Sequence, residues 1–191
     1  IDKQVPTITT VLNGGIVYTE SMGKLKMTGD TGLSASISDA AEDPGDLNVQ
    51  IIKAVPDQPV SAPAYVKTTA RQFAFTDEAD YTINLFAIDM AGNQGPARTV
   101  NFRVDKTAPQ ITISGVSGGG TSSSQTTVSF VMKELFWADS TGTVTIYRKA
   151  DDNSAETLYK TINYTPTAYE TVVSETLTET GKYRIEFTAS D

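Results

Sequence analysis

The chain has 191 residues, of which 39% are hydrophobic and 20% are charged, so it is long enough to form two ordinary domains with packed cores. It contains no Cys and no His, which excludes disulfides, thiol nucleophiles, Ser-His-Asp catalysis and the usual zinc ligands. The net charge of -8 is shared equally by the two halves, so the chain offers no basic patch for nucleic acid and no attraction to anionic membranes. No apolar run approaches ~18 residues, so no membrane insertion is predicted.

The first hundred residues contain seven short segments that favour β-strands. In most of them apolar and polar residues alternate, which is the period of a strand with one buried face. Clusters of Gly, Pro, Asn and Asp separate the segments and predict turns, such as Ala91–Pro96. The predicted strands lie at Ile8–Tyr18, Leu33–Ser38, Leu47–Ile51, Tyr65–Thr68, Phe73–Phe75, Tyr81–Ala87 and Val100–Val104.

The rest of the chain repeats this plan. The segment IDKQVPTI at the start matches VDKTAPQI from Val104 at an offset of 103 residues, and DEADYTI from Asp77 matches ETGKYRI from Glu179 at an offset of 102. Two matches at nearly one offset predict an internal repeat of about a hundred residues, the size of an Ig-type sandwich. We therefore expect an all-β chain of two antiparallel β-sandwiches with a boundary between residues 1–104 and 105–191. The second set of strands is predicted at Ile111–Ile113, Val128–Met132, Val144–Ile146, Leu158–Ile162, Val173–Leu177 and Tyr183–Ala189.

The stretch Tyr81–Ile111 resembles the bacterial Ig-like repeats of large cell-surface and secreted proteins. In those repeats a strand ending A-x-D is followed by an AGN-type turn, a final strand and a VDKTAP-type junction, and all four features are present here. The resemblance implies an Ig-like β-sandwich, an extracellular location at the cell surface or attached to the cell wall, and neighbouring Ig-like repeats of the same chain as partners.

The second unit stops early relative to the first. Asp191 matches Asp89, so the turn and last strand that follow Asp89 in the first unit have no counterpart. Two interpretations remain open: that strand is simply missing from this sequence, or a neighbouring chain supplies it by strand addition.

Two tyrosines stand in a motif that resembles the tyrosine corner of Ig domains. The runs D-x-A-x-Y-x-I and E-x-G-x-Y-x-I contain Tyr81 and Tyr183, with Ile83 and Ile185 where the disulfide Cys of an Ig domain would stand. The resemblance implies that each tyrosine hydroxyl binds backbone a few residues upstream, a structural role.

An acidic loop between the second and third strands is the candidate metal site. In an Ig sandwich this loop lies at the same pole as the turn after Asp89, so the carboxylates could converge there. Ca²⁺ takes six to eight oxygen ligands, which such a cluster could supply. A solvated acidic loop would have the same sequence, so both interpretations stay open. The candidate ligands are Asp39, Glu42, Asp43, Asp46 and Asp89.

The equivalent loop of the second unit carries aromatic residues instead of acids. Phe136 and Trp137 could pack against the first unit or in the core, or they could form a sugar-stacking platform with Tyr147. Further tyrosines that could extend such a platform are Tyr159, Tyr164 and Tyr169.

No constellation of nucleophile and base can be assembled, so no enzyme is predicted. We expect a non-catalytic extracellular repeat segment that acts as a spacer, stalk or adhesion scaffold of a bacterial surface protein. The alternative is a carbohydrate-binding or adhesin module that uses Trp137 and the neighbouring tyrosines, with a glycan or a host or cell-surface protein as its partner.

Overall fold

The computed structural model describes residues 2–21, 24–39, 45–116 and 125–191. Within these ranges the regular structure consists of β-strands and one 3₁₀ turn at Trp137–Asp139. No helix in the same ranges is long and apolar enough to cross a membrane. The predicted all-β fold built from antiparallel sheets is confirmed.

The chain divides into two compact units, Ile1–Lys106 and Thr107–Asp191. The boundary falls two residues later than the sequence predicts, because Lys106 is anchored in the first unit. Its ammonium group lies 3.0 Å from Asp30 Oδ1 and 2.6 Å from the carbonyl oxygen of Thr76. Its backbone N–H donates to Glu78 Oε1 over 2.6 Å.

Unit 1 forms one continuous sheet of seven strands. The order is β1-β2-β7-β6-β3-β4, and β5 pairs with β2 outside this path. All pairs are antiparallel except β2 with β7, where Leu25–Met27 run parallel to Phe102–Val104. The strands are β1 (Thr7–Ser21), β2 (Lys24–Ser38), β3 (Asp46–Ala54), β4 (Val66–Thr68), β5 (Gln72–Phe75), β6 (Ala79–Ile88) and β7 (Arg98–Val104).

The core of unit 1 is built around β6, in which buried and half-buried residues alternate along its length. The rings of Phe75, Tyr81 and Phe102 meet at its centre with centroids 4.8–5.3 Å apart. Aromatic rings in contact at these separations add to the stabilisation from apolar burial. The buried residues of this core are Met27, Leu33, Ala35, Leu47, Val49, Phe75, Ala79, Tyr81, Ile83, Leu85, Phe102 and Val104.

The described part of unit 2 contains six strands in two antiparallel sheets of three, ordered β11-β10-β13 and β12-β9-β8. The strands are β8 (Gln110–Ser114), β9 (Thr126–Lys133), β10 (Thr141–Lys149), β11 (Thr157–Tyr164), β12 (Glu170–Leu177) and β13 (Lys182–Ser190).

The core of unit 2 is more open along β13 than the core of unit 1 is along β6. β6 has strand partners on both sides, β3 and β7, whereas in the described part of the chain β13 pairs with β10 alone. Tyr183 and Ile185 are accordingly half-buried, although the matching Tyr81 and Ile83 are fully buried. The buried residues of this core are Val128, Phe130, Met132, Val144, Ile146, Tyr164, Leu177 and Phe187.

Candidate functional site

Asp89 occupies the turn that follows β6, and its side chain is held from two directions by Asn93. Asp89 Oδ1 accepts the backbone N–H of Asn93 over 2.7 Å, and Oδ2 accepts the Asn93 side-chain amide over 2.8 Å. The carbonyl oxygen of Asp89 accepts the N–H of Gly92 over 3.1 Å, which closes the turn. These hydrogen bonds fix the side chain in place, and the residue is only 6% exposed.

The surroundings of Asp89 favour its charged form. Burial opposes ionisation, but hydrogen bonds from the side chain and backbone of Asn93 and from the N–H groups of Ala91 and Gly92 outweigh it and lower the pKa of Asp89. Asp89 is therefore a carboxylate at neutral pH.

Two further carboxylates lie beside Asp89. Asp39 follows β2, and Asp2 belongs to the segment before β1; one carboxylate oxygen from each of the three residues lies within 4.8 Å of the others. Both carboxylate oxygens of Asp39 are buried and have no hydrogen-bond partner among the residues that the structure describes. A buried carboxylate with neither donor nor cation is costly, so this position requires compensation.

Two glycines allow the surrounding segments to approach the turn. A Cβ at Gly95 would lie 2.0 Å from the carbonyl oxygen of Pro6, so only glycine admits the N-terminal segment that carries Asp2. On the opposite side, Gly45 has φ +61°, and a Cβ there would lie 1.9 Å from the carbonyl oxygen of Ile88. Asp2 is held further by its carbonyl oxygen, which accepts the Asn93 amide over 3.3 Å.

The three carboxylates fit a calcium ion. Ca²⁺ binds oxygens at about 2.3–2.6 Å, so two ligands on opposite sides of one ion are about 4.8 Å apart. The oxygens of Asp2, Asp39 and Asp89 fall within that separation. An ion bound there would also provide the partner that Asp39 lacks among the described residues. Magnesium fits less well, because it demands strict octahedral geometry at shorter distances.

The structure brings together some of the predicted ligands and not others. Asp39 and Asp89 belong to the cluster, but Asp46 does not: its carboxylate lies 2.5 Å from Lys67 Nζ as an ion pair. Glu42 and Asp43 lie outside the described residues. Sequence reasoning missed Asp2, although the repeated junction motif IDKQVP contains it.

The aromatic candidates of unit 2 differ in their exposure and in their contacts. Phe136 is only 2% exposed and belongs to the interior, while Trp137 is half-buried in the 3₁₀ turn. Tyr147 lies beneath the guanidinium group of Arg184, 4.0 Å from ring centroid to Cζ. It is ten residues from Trp137, and six of these steps run along β10, a path of about 20 Å at the usual rise per residue.

The neighbouring tyrosines have different environments. Tyr164 is fully buried, and its hydroxyl accepts the N–H of Met132 over 3.2 Å, so it is a core residue and not a sugar contact. Tyr159 packs edge-on against Tyr183 with ring centroids 5.4 Å apart. Tyr169 is 52% exposed and accessible to a ligand.

Each unit contains a tyrosine hydrogen bond of the kind that the sequence predicts. Tyr81 donates to the carbonyl oxygen of Asp77 over 3.1 Å, and Tyr183 donates to that of Glu179 over 2.8 Å. Both acceptors lie four residues upstream, so each bond ties the start of a strand to the turn that precedes it. Both tyrosines therefore stabilise the connection between a turn and the strand that follows it.

Neither a protein-family model nor a curated protein sequence matches the chain. Its function therefore has to be inferred from the residues of the two units. Two features bear on it: the tyrosine bonds repeated at the same position of both units, and the cluster formed by Asp2, Asp39 and Asp89.

Proposed function

We propose that this chain is a non-catalytic segment of a bacterial extracellular stalk, a spacer or adhesion scaffold built from Ig-like repeats at the cell surface or attached to the cell wall. Its partners are neighbouring Ig-like repeats of the same chain. The observation that carries the proposal is the repeated unit with its repeated tyrosine bond. Such repeats provide length and stiffness without any active site.

The strand pairing of the two units supports a true repeat. β1 and β8 each pair antiparallel with the next strand, and β6 and β13 each pair antiparallel with the third strand of their unit. Tyr81 is the third residue of β6 and Tyr183 is the second residue of β13, and the two make equivalent hydrogen bonds. The same order of elements in both halves favours a chain assembled from copies of one module.

The junction supports a stiff connection. The N–H of Asp105 donates to the carbonyl oxygen of Met27 over 2.9 Å, and its carboxylate lies 3.1 Å from Lys26 Nζ. With Lys106 anchored as well, only Thr107, Ala108 and Pro109 separate the fixed end of unit 1 from β8. Short connections that contain proline bend little, because proline fixes its own φ and restricts the residue before it.

Small-angle X-ray scattering of one, two and three joined copies of the chain tests the stalk. A stiff stalk predicts that the maximum dimension grows in proportion to the number of copies. If the units were flexibly joined, the maximum dimension would instead grow as roughly the square root of that number, which would contradict the proposal. Replacing residues 107–109 with a six-residue Gly-Ser linker provides the matched flexible control.

The carboxylate cluster favours a second component of this function, calcium binding by unit 1. The specific observation is Asp39, whose buried carboxylate oxygens have no partner within the described ranges of the chain. Asp2, Asp39 and Asp89 would hold the ion, which would supply the positive charge that offsets their repulsion. Calcium bound there stabilises the fold of unit 1 where the ion is abundant.

The alternative function is a carbohydrate-binding or adhesin module in unit 2 that uses Trp137, with a glycan or a host protein as partner. Trp137 is the single Trp of the chain and is half-buried, so its fluorescence reports on this one position. Blue-shifted emission that no glycan alters supports the stalk. A saturable change with one glycan would favour the alternative.

A further inference from the structure

The outward face of β3, β6 and β7 carries an uncommon set of side chains. Asn is depleted in strands, where β-branched and aromatic residues prevail. Here four amides share one face of the sheet, together with two threonines and one aromatic ring. These residues alternate with the buried ones of the same strands, so they point away from the core. They are Asn48, Gln50, Thr82, Asn84, Phe86, Thr99 and Asn101.

Three of these side chains form a continuous row of hydrogen bonds across the sheet. Gln50, Asn84 and Thr99 lie directly opposite one another on neighbouring strands. Asn84 donates to Gln50 Oε1 over 2.8 Å, and Thr99 donates to Asn84 Oδ1 over 2.7 Å. The Gln50 amide donates to the carbonyl oxygen of Pro63 over 2.8 Å, which fixes the end of the row. Each amide retains a second N–H and a second lone pair for a ligand.

An exposed aromatic ring stands at the end of this row. Tyr65 is 44% exposed, and its ring meets the half-buried ring of Phe86 with centroids 5.0 Å apart. Phe86 lies two residues from Asn84 on the same face of β6. Tyr65 follows Pro63 by two residues, so the contact that holds Gln50 also places Tyr65 beside the amides.

The centre of the face is uncharged. The charged groups at its margins form ion pairs: Lys67 with Asp46 at 2.5 Å, and Arg103 with Asp80 at 2.9 Å. The centre of the face therefore offers no opposite charge to a charged ligand. It is complementary to a neutral polyhydroxyl compound, because the hydroxyls pair with amides while the C–H face of a sugar ring packs on an aromatic side chain.

We propose that this surface, the amide face defined by Gln50, Asn84, Thr99, Tyr65 and Phe86, binds a neutral polysaccharide. The site lies in unit 1 and is separate from Trp137. It goes beyond the stalk function, since it allows a repeat to attach to a glycan along its side. The stalk proposal does not depend on it, because scattering measures stiffness whether or not a glycan binds.

Isothermal titration calorimetry of the whole chain tests the site. The probes are cellohexaose, laminarihexaose, mannohexaose, maltohexaose and chitohexaose, with polygalacturonate as the anionic control. We expect saturable binding of at least one neutral hexasaccharide, with a Kd of about 10 μM to 1 mM, as suits a shallow open face. Tyr65→Ala should weaken binding about tenfold and Asn84→Ala about fivefold, which correspond to one aromatic contact and one hydrogen bond. The matched control is Tyr169→Ala, which removes an exposed tyrosine from unit 2 and should leave the affinity unchanged.

Tyr65→Phe separates a binding role from a folding role. This variant keeps the ring and should retain most of the affinity, and circular dichroism should show that all variants remain folded. Absence of binding to every neutral hexasaccharide at about 10 mM would overturn the proposal. So would tighter binding of polygalacturonate, or glycan binding that Trp137→Ala abolishes and Tyr65→Ala leaves intact.

Discussion

The rings of Tyr81 and Phe102 stack with their centroids 5.3 Å apart and an angle of 21° between their planes. The two residues lie directly opposite each other on β6 and β7. Phe102 therefore covers the side of Tyr81 that would otherwise face the edge of the sheet. In unit 2 the equivalent Tyr183 has no such cover from the described strands and is half-buried.

Phe102→Ala should lower the free energy of unfolding of unit 1 by about 3–5 kcal/mol, because it removes a fully buried ring and leaves a cavity among Phe75 and Tyr81. Urea denaturation followed by circular dichroism measures the loss, while Trp137 fluorescence follows unit 2 as an internal control. Val11→Ala, at an exposed position of β1, should change stability by less than about 0.5 kcal/mol. A loss below about 1 kcal/mol for Phe102→Ala would contradict the packing described for this core.

The tyrosine hydrogen bonds should differ in strength between the units. Tyr81→Phe deletes the bond to Asp77 and should cost about 1 kcal/mol, since the bond is partly buried. Tyr183→Phe should cost less, because its bond to Glu179 is exposed and water can replace it. Denaturation midpoints of the two variants provide the comparison. The reverse order would show that burial does not set the strength of this bond.

Calcium should stabilise unit 1 through the carboxylate cluster. At a calcium concentration one hundred times Kd, binding to the folded state adds about 2.7 kcal/mol, which appears as a higher Tm than in EDTA. Asp39→Asn should abolish this increase, and in EDTA it should itself stabilise the fold by removing one of three neighbouring carboxylates that repel one another.

Asp46→Asn is the matched control for calcium, because Asp46 is close in sequence but pairs with Lys67 and lies outside the cluster. The variant should keep the calcium-dependent increase in Tm. Equal Tm values of the unaltered chain in EDTA and in millimolar calcium would dismiss the site. An increase that survives Asp39→Asn would place the ion elsewhere.

Acid should destabilise unit 1 partly through Asp89. The pKa of Asp89 is lower in the folded chain than its ordinary value of 3.8, so the folded state binds fewer protons than the unfolded state around that pH. The stabilisation is complete above the unfolded pKa and is lost as the pH falls from about 4 through the lower folded pKa.

Stability curves in EDTA between about pH 6 and pH 2 measure this loss. Asp89→Asn should flatten the curve in the acid range. Asp77→Asn should change it less, because the ion pair of Asp77 with Lys53 is largely exposed and weak. If the stability curve of Asp89→Asn matches that of the unaltered chain, the hydrogen bonds between Asp89 and Asn93 survive protonation of Asp89.

The alternation of residues predicted most of the strands, but it placed the start of β2 at Leu33 and not at Lys24, and it did not predict the depth of burial. Tyr81, Ile83, Leu85 and Ala87 are all buried, as the period of two indicates. The same pattern in β13 leaves Tyr183 and Ile185 half-buried, because burial also depends on which strand lies alongside. The depth of burial is therefore set by the neighbouring strands and not by the strand's own sequence.

The candidate sites required contacts that sequence spacing does not encode. Asp2 reaches Asp89 because Gly95 lets Pro6 approach the turn, a contact between residues about ninety positions apart. Tyr147 was grouped with Trp137 because both are aromatic, and the sequence did not predict that Tyr147 lies beneath the guanidinium group of Arg184. Tyr65 and Phe86 were missed because one lies in a proline-rich loop and the other looks like an ordinary strand residue.

β7 pairs with β6 on one side and with β2 on the other, and this arrangement affects how unit 1 unfolds locally. Because β7 is bonded on both sides, the backbone ladders of all seven strands form one connected network. Amide hydrogens of β2, β6 and β7 should therefore exchange with solvent at one common slow rate, as a single cooperative block. In unit 2 no ladder joins the two sheets among the described residues, so β8, β9 and β12 can exchange at a rate different from that of β10, β11 and β13.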